Sequence, residues 1–235
     1  MRPIFIIVVT LHICGCSALG RRGPVPKDVA TCRDLTQQGV AAMELGQWDQ
    51  AEKLLQGAVE ASPVDASTRH HLAEVLWHRG ATDEALLQME AAARLDDSDA
   101  SLMVRSGEML LATGQTERAL ARSEEAIRLN PKLATAWALR GRVHAKLGET
   151  DRALADLQRS LQYSPDNSDT LMDVAALYRQ RGQHDRCLTT LHHLLDTYPA
   201  GEEPQLALWM EGLALSDLGR PHQAAARLAA ASEKG

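Results

Sequence analysis

Residues 72–93 read LAEVLWHRGATDEALLQMEAAA, and this stretch decides the fold. Leu72, Val75 and Leu76 recur at helical intervals before Gly80, and Leu86, Met89 and Ala93 do so after it. Such spacing gathers apolar side chains on one face of a helix, so the stretch reads as two amphipathic helices joined at a glycine turn. The turn recurs: Gly46, Gly80, Gly114, Gly148 and Gly182 follow one another at 34 residues, and Gly219 follows after 37. A fixed period of that length marks a stacked repeat array.

Other columns keep the same beat. Five residues after each glycine stand Ala51, Ala85, Ala119, Ala153, Cys187 and Ala224, and seven before it stand Gly39, Ala73, Gly107, Gly141, Ala175 and Gly212. Twelve after it stand Ala58, Ala92, Ala126, Ser160, Leu194 and Ala231. Small side chains in the first two columns, and in most of the third, let two antiparallel helices approach closely at their crossing. Pro63, Asp97, Pro131, Pro165 and Pro199 fall where the second helix must stop, since proline cannot continue the hydrogen-bond ladder. Thr82-Asp83, Thr116-Glu117 and Thr150-Asp151 are expected to open second helices, the threonine oxygen capping a free N–H and the carboxylate favouring the positive helix end. No stretch alternates in the manner of a strand.

Small residue, glycine turn, alanine, alanine and proline at this period resemble the tetratricopeptide repeat. The resemblance covers residues 32–235, in units starting near 32, 66, 100, 134, 168 and 205. It implies an all-α fold, a right-handed α-solenoid of six stacked helix-turn-helix units. The family usually places bulky aromatics where this chain has Ala42, Leu76, Leu110, His144, Tyr178 and Leu215, and only Tyr178 conforms. One unit cannot bury its apolar face alone, so stability is expected from neighbours in the stack.

The first residues stand outside the array. Arg2 precedes an apolar run from Ile4 to Ile13, which is too short to span a bilayer, a task for about 20 helical residues. Ile13-Cys14-Gly15-Cys16 resembles the bacterial lipoprotein box, which implies a signal peptide over residues 1–15 and lipidation of Cys16. Residues 16–31 then read as a flexible tether. An exported, lipid-anchored location in a bacterial envelope is the expectation. Of the remaining cysteines, Cys32 and Cys187 lie in distant units and should not pair, and Cys187 sits in a buried small-residue column.

A net charge of −6 disfavours nucleic acid, and the chain carries no catalytic, phosphate-binding or cofactor signature. No enzyme activity, cofactor or metal is expected. His70, Glu74 and His78 share a helix face, but the outer two lie about 12 Å apart along the axis, too far to ligate one ion. In this family's register His70, Glu74, Trp77, His78, Glu108, Arg142, Lys146, Arg179 and Trp209 face the concave groove, with a basic middle. That placement implies capture of an extended peptide or another protein. Relatives that grip C-terminal carboxylates use a clamp of which only Arg105 is matched here, at places otherwise held by Thr36, Val40, His71 and Ser101. The expected role is a scaffold binding an envelope protein, with two alternatives: an accessory subunit recruiting a cell-wall or glycan enzyme, or a pilotin-like lipoprotein of type IV pili. The last helix, losing bulk through Ala225, Ala226, Ala229, Ala230 and Ser232, is expected to cap the stack and leave a monomer.

Overall fold

The computed structural model describes residues 26–234, so the signal segment, Cys16 and the first part of the tether lie outside the described residues. Twelve helices and no strand are present among the described residues. They form six antiparallel pairs: α1 (Lys27–Glu44) with α2 (Trp48–Ala61), α3 (Ala66–His78) with α4 (Thr82–Leu95), and α5 (Ala100–Ala112) with α6 (Thr116–Leu129). Then come α7 (Ala134–Lys146) with α8 (Thr150–Tyr163), α9 (Ser168–Gln180) with α10 (His184–Asp196), and α11 (Gln205–Asp217) with α12 (Pro221–Ser232). The array begins earlier than the repeat register suggests, because α1 takes up residues 27–31 as well. Pro26 stands at its N-cap with φ −51°, and Asp28 lies in its first turn, where the helix dipole favours an acid.

Each turn glycine has positive φ, from 70° to 81°, a conformation that costs glycine nothing. The residue after it donates its N–H back to a carbonyl five residues earlier, as Ala81 does to Leu76 and Gln115 does to Leu110. This closes the first helix and turns the chain into the second. The threonine caps expected for the second helices do not form. Thr82, Thr116 and Thr150 are the first helical residues, and no side-chain cap precedes them. Side-chain capping belongs to first helices instead, where Asp65, Asp99 and Asn167 accept from the N–H groups of Thr68, Ser101 and Thr170.

The small columns permit close approach. A Cβ placed on Gly39, Gly141 or Gly212 would lie 2.7 Å from Leu55, Leu157 or Leu228, the leucine nine residues after the turn glycine of the same unit. First helices also touch one another, α1 with α3, α5 with α7, α7 with α9 and α9 with α11, whereas second helices pack chiefly on first helices. The first helices therefore line the inner, concave wall and the second helices form the outer one. Units five and six are joined by the long link 197–204, which includes Gly201 at φ 90°.

The aliphatic core has polar exceptions. In unit four, Arg140 holds buried Asp156 with two bonds of 2.8 Å, and His144 fills the family's aromatic column with Nδ1 2.7 Å from Glu149. In unit six Glu211 is 2% exposed, between His192 Nε2 at 3.1 Å from Oε1 and Arg227 Nε at 3.0 Å from Oε2. The Arg227 contact is off the hydrogen-bond direction, which leaves Oε2 without a hydrogen bond. Cys32 and Cys187 are free and buried, and burial pushes the Cys187 thiol up to about 11.

Candidate partner-binding site

Charged side chains on the inner wall are paired between units. Glu74 of α3 accepts from Arg105 of α5 at 2.6 and 2.7 Å, with His70 3.5 Å away. Arg105 also reaches Glu108 at 3.3 Å, and Arg142 of α7 lies 3.6 Å from both Glu108 and Asp173 of α9. Further along, Arg179 donates to Asp217 of α11 at 3.1 Å. The basic middle expected from sequence is thus an alternating ladder of both signs. Asp173 and Asp217 were missed because they lie in other columns than the residues they meet. A sequence signal existed: Glu74 and Arg105, like Arg142 and Asp173, are opposite charges 31 residues apart, the step from one unit's column to its contact in the next.

The electrostatics follow the pairing. Burial pushes Glu74 upward, but hydrogen bonds from His70 and Arg105 outweigh it and hold the carboxyl down at about 2. Asp173 goes the other way: burial raises it and its distant Arg142 only partly offsets the rise. His71 is lowered by burial and then by His70 beside it. Arg105, the single match to a carboxylate clamp, is already committed to Glu74 and Glu108.

The remaining candidates separate. Trp77 is half-buried among core side chains of units two and three, with the Arg105 guanidinium 6.0 Å from its ring centroid. His78 stacks on Trp48 of the preceding unit at 3.7 Å. Lys146 and Arg142 line a hollow of about 480 Å³ in the inner wall, floored by Leu111, Ala145, Ala176 and Leu177 and edged by Asp173 and Gln180. Trp209 does not join it. With Leu206 and Leu228 it lines a second hollow of about 330 Å³ on the last unit. Leu206 is 57% and Trp209 47% exposed, so the terminal face is not the apolar-poor cap that the last helix alone suggested. The alanines of α12 do remove bulk, but α11 restores it. No group of three or more metal-ligating side chains that could hold an ion occurs among the described residues.

Three tetratricopeptide-repeat models match residues 36–100, 107–172 and 145–208. The chain is a tetratricopeptide-repeat protein. Proteins of this repeat family bind peptide or protein partners. Comparison with curated protein sequences finds no match. Among solved structures, the repeat array is similar to pilF of Pseudomonas aeruginosa, at 18% identity and TM-score 0.73 over 86% of this chain and 90% of that one. It is also similar to PilW, a type IV pilus biogenesis factor, at 19% identity and TM-score 0.75 over 84% and 90%. A third likeness is to YrrB, a repeat protein with an unusual peptide-binding site, at 21% identity and TM-score 0.55 over 76% and 91%. At these identities the likeness is one of fold.

Proposed function

We propose that this protein is a non-enzymatic adaptor, anchored by acyl chains on Cys16 at the exported side of a bacterial envelope membrane, that holds an extended segment of another envelope protein against its inner wall. The observation that carries the reading is the hollow between α5, α7 and α9, an apolar opening in a wall on which Glu74 with Arg105 and Arg179 with Asp217 are paired. Concave, largely apolar sites with a few convergent polar groups are where ligands bind. The anchor rests on the sequence from Arg2 to Cys16; no helix among the described residues is long and apolar enough to cross a membrane. More than one buried acyl chain gives stable attachment.

A photoreactive residue at Gln180 on the inner wall, compared with one at Leu87 on the outer helix α4, tests the groove in intact envelopes. Capture of a protein from Gln180 and not from Leu87 is expected, and equal capture from both overturns it. Cys16→Ser is expected to release the chain from membranes with its helical content unchanged; sedimentation with membranes at high salt overturns the anchor. The fold likeness to pilF and PilW, over most of each chain, favours a role in pilus biogenesis as the second reading. Under that reading the captured protein is a pilus assembly component.

A further inference from the structure

The inner-wall hollow has a cause that can be read along the repeats. Three residues before the turn glycine the column runs Met43, Trp77, Leu111, Ala145, Arg179 and Ser216. Six before it runs Val40, Glu74, Glu108, Arg142, Ala176 and Leu213. The smallest member of each column falls at Ala145 in unit four and at Ala176 in unit five, and the two units are adjacent. Where Trp77 and Glu74 fill the wall of unit two, these alanines leave it open, over a floor of Leu111 and Leu177.

At the edge of the hollow Arg142 is matched less closely than Arg105 is in the preceding unit. Arg105 holds the Glu74 carboxylate with two short bonds. Arg142 reaches Glu108 and Asp173 only at 3.6 Å, and its Nε is buried with no hydrogen-bond partner. Buried donors of this kind are rarely left unmatched in native proteins. Lys146, one turn further on, forms no ion pair among the described residues. The charged groups around the opening are Glu108, Asp173, Arg142 and Lys146, and they balance. Arg142 is surrounded by two acids that it reaches poorly, while Lys146 stands apart from both. A ligand therefore meets an apolar floor, a peptide-sized donor and acceptor in Arg142 and Asp173, and one cation left to choose its neighbour.

We infer that this hollow is a subsite for a short peptide motif: one large aliphatic or aromatic side chain seated between Ala145 and Ala176, its backbone carbonyl taken by Arg142, and an acidic residue beside it facing Lys146. This rests on the inner-wall reading and narrows it to a ligand class. The burial that raises Asp173 agrees, since a peptide N–H would supply the donor that Asp173 lacks.

The test is a selection of random dodecapeptides on the purified full chain, followed by calorimetry with the recovered peptides. Expected peptides carry Leu, Ile, Met or Phe with Asp or Glu within two positions. Ala145→Trp copies Trp77 two units earlier, so the fold can take it, and unchanged helical content by circular dichroism checks this. It is expected to weaken binding at least ten-fold. Lys146→Glu is expected to weaken acid-bearing peptides about ten-fold and to leave their Gln versions unchanged. Unchanged binding to folded Ala145→Trp overturns the subsite while leaving the inner-wall reading in place. Indifference to the acidic neighbour overturns the role of Lys146. Peptides that crosslink only to α4, α6 and α8 overturn the subsite and the inner-wall reading together.

Discussion

At the scale of the residue, Glu74 shows how a wall built for recognition is also held together. Its carboxyl is mostly buried yet stays ionised to about pH 2, because Arg105 reaches it from the next unit and His70 from its own helix. A carboxyl depressed in the folded chain contributes stability that is present above its ordinary value of 4.5 and is lost as pH falls toward 2. Glu74→Gln is therefore expected to lower stability at pH 6 by about 1.5–3 kcal/mol, as for charged hydrogen bonds. The loss should shrink toward zero near pH 2. Urea midpoints of the two proteins at pH 6 and pH 2.5 check it, and a difference that stays constant with pH refutes it. Sequence placed Glu74, Glu108, Arg142 and Arg179 in the concave columns but read each charge by itself. Pairing between units depends on how far one unit is displaced against the next, and the columns do not state that displacement.

At the scale of the element, the helix pair was legible because its requirements are local: an apolar face, a glycine able to take positive φ, and small residues at the crossing. What sequence misplaced was capping. A threonine before an acid is a cap only when it precedes the first helical residue, and here the glycine turn already closes the backbone. The crossing residues give a test with two signs. Gly57 lies inside α2, and a Cβ there would meet only Leu35 Cδ1 at 3.4 Å, ordinary contact. Gly57→Ala is expected to stabilise by up to about 1 kcal/mol, the helix preference of alanine over glycine. Gly141 lies inside α7, and its Cβ would meet Leu157 Cγ at 2.7 Å and the carbonyl oxygen of Ala153 at 3.1 Å. Overpacking costs about 1–3 kcal/mol, which exceeds the helix preference, so Gly141→Ala is expected to destabilise by about 1 kcal/mol net. Denaturation midpoints that move in the same direction for both variants would show that crossing distance does not control these sites.

At the scale of the whole molecule, a stack distributes stability by position, since each unit is covered by its neighbours. The sequence reading of the terminal face followed α12 alone and overlooked that α11 carries Leu206 where earlier units have Ser67, Ser101, Thr135 and Asp169. Leu206→Ser with Trp209→Ser is expected to remove most of the fluorescence of a bound apolar dye without changing helical content, because these two large apolar side chains stand exposed on that face. Unchanged dye binding would place the exposed apolar surface elsewhere. Among the described residues unit six packs against unit five alone, to which it is joined by the long link 197–204. It also buries Glu211 in a column that holds Leu72 in unit two and Val174 in unit five. Desolvating a carboxylate costs more than an imperfect pair returns when one oxygen lacks a hydrogen bond, and replacing such a group by an apolar one of similar size is often neutral or stabilising. Amides of α11 and α12 should therefore exchange with solvent faster than those of α5 to α8. Glu211→Leu, which installs the residue of unit two, is expected to slow that exchange selectively in unit six. Faster exchange in the variant would mean that His192 and Arg227 need the carboxylate to dock the last unit, and that the buried charge secures the end of the stack.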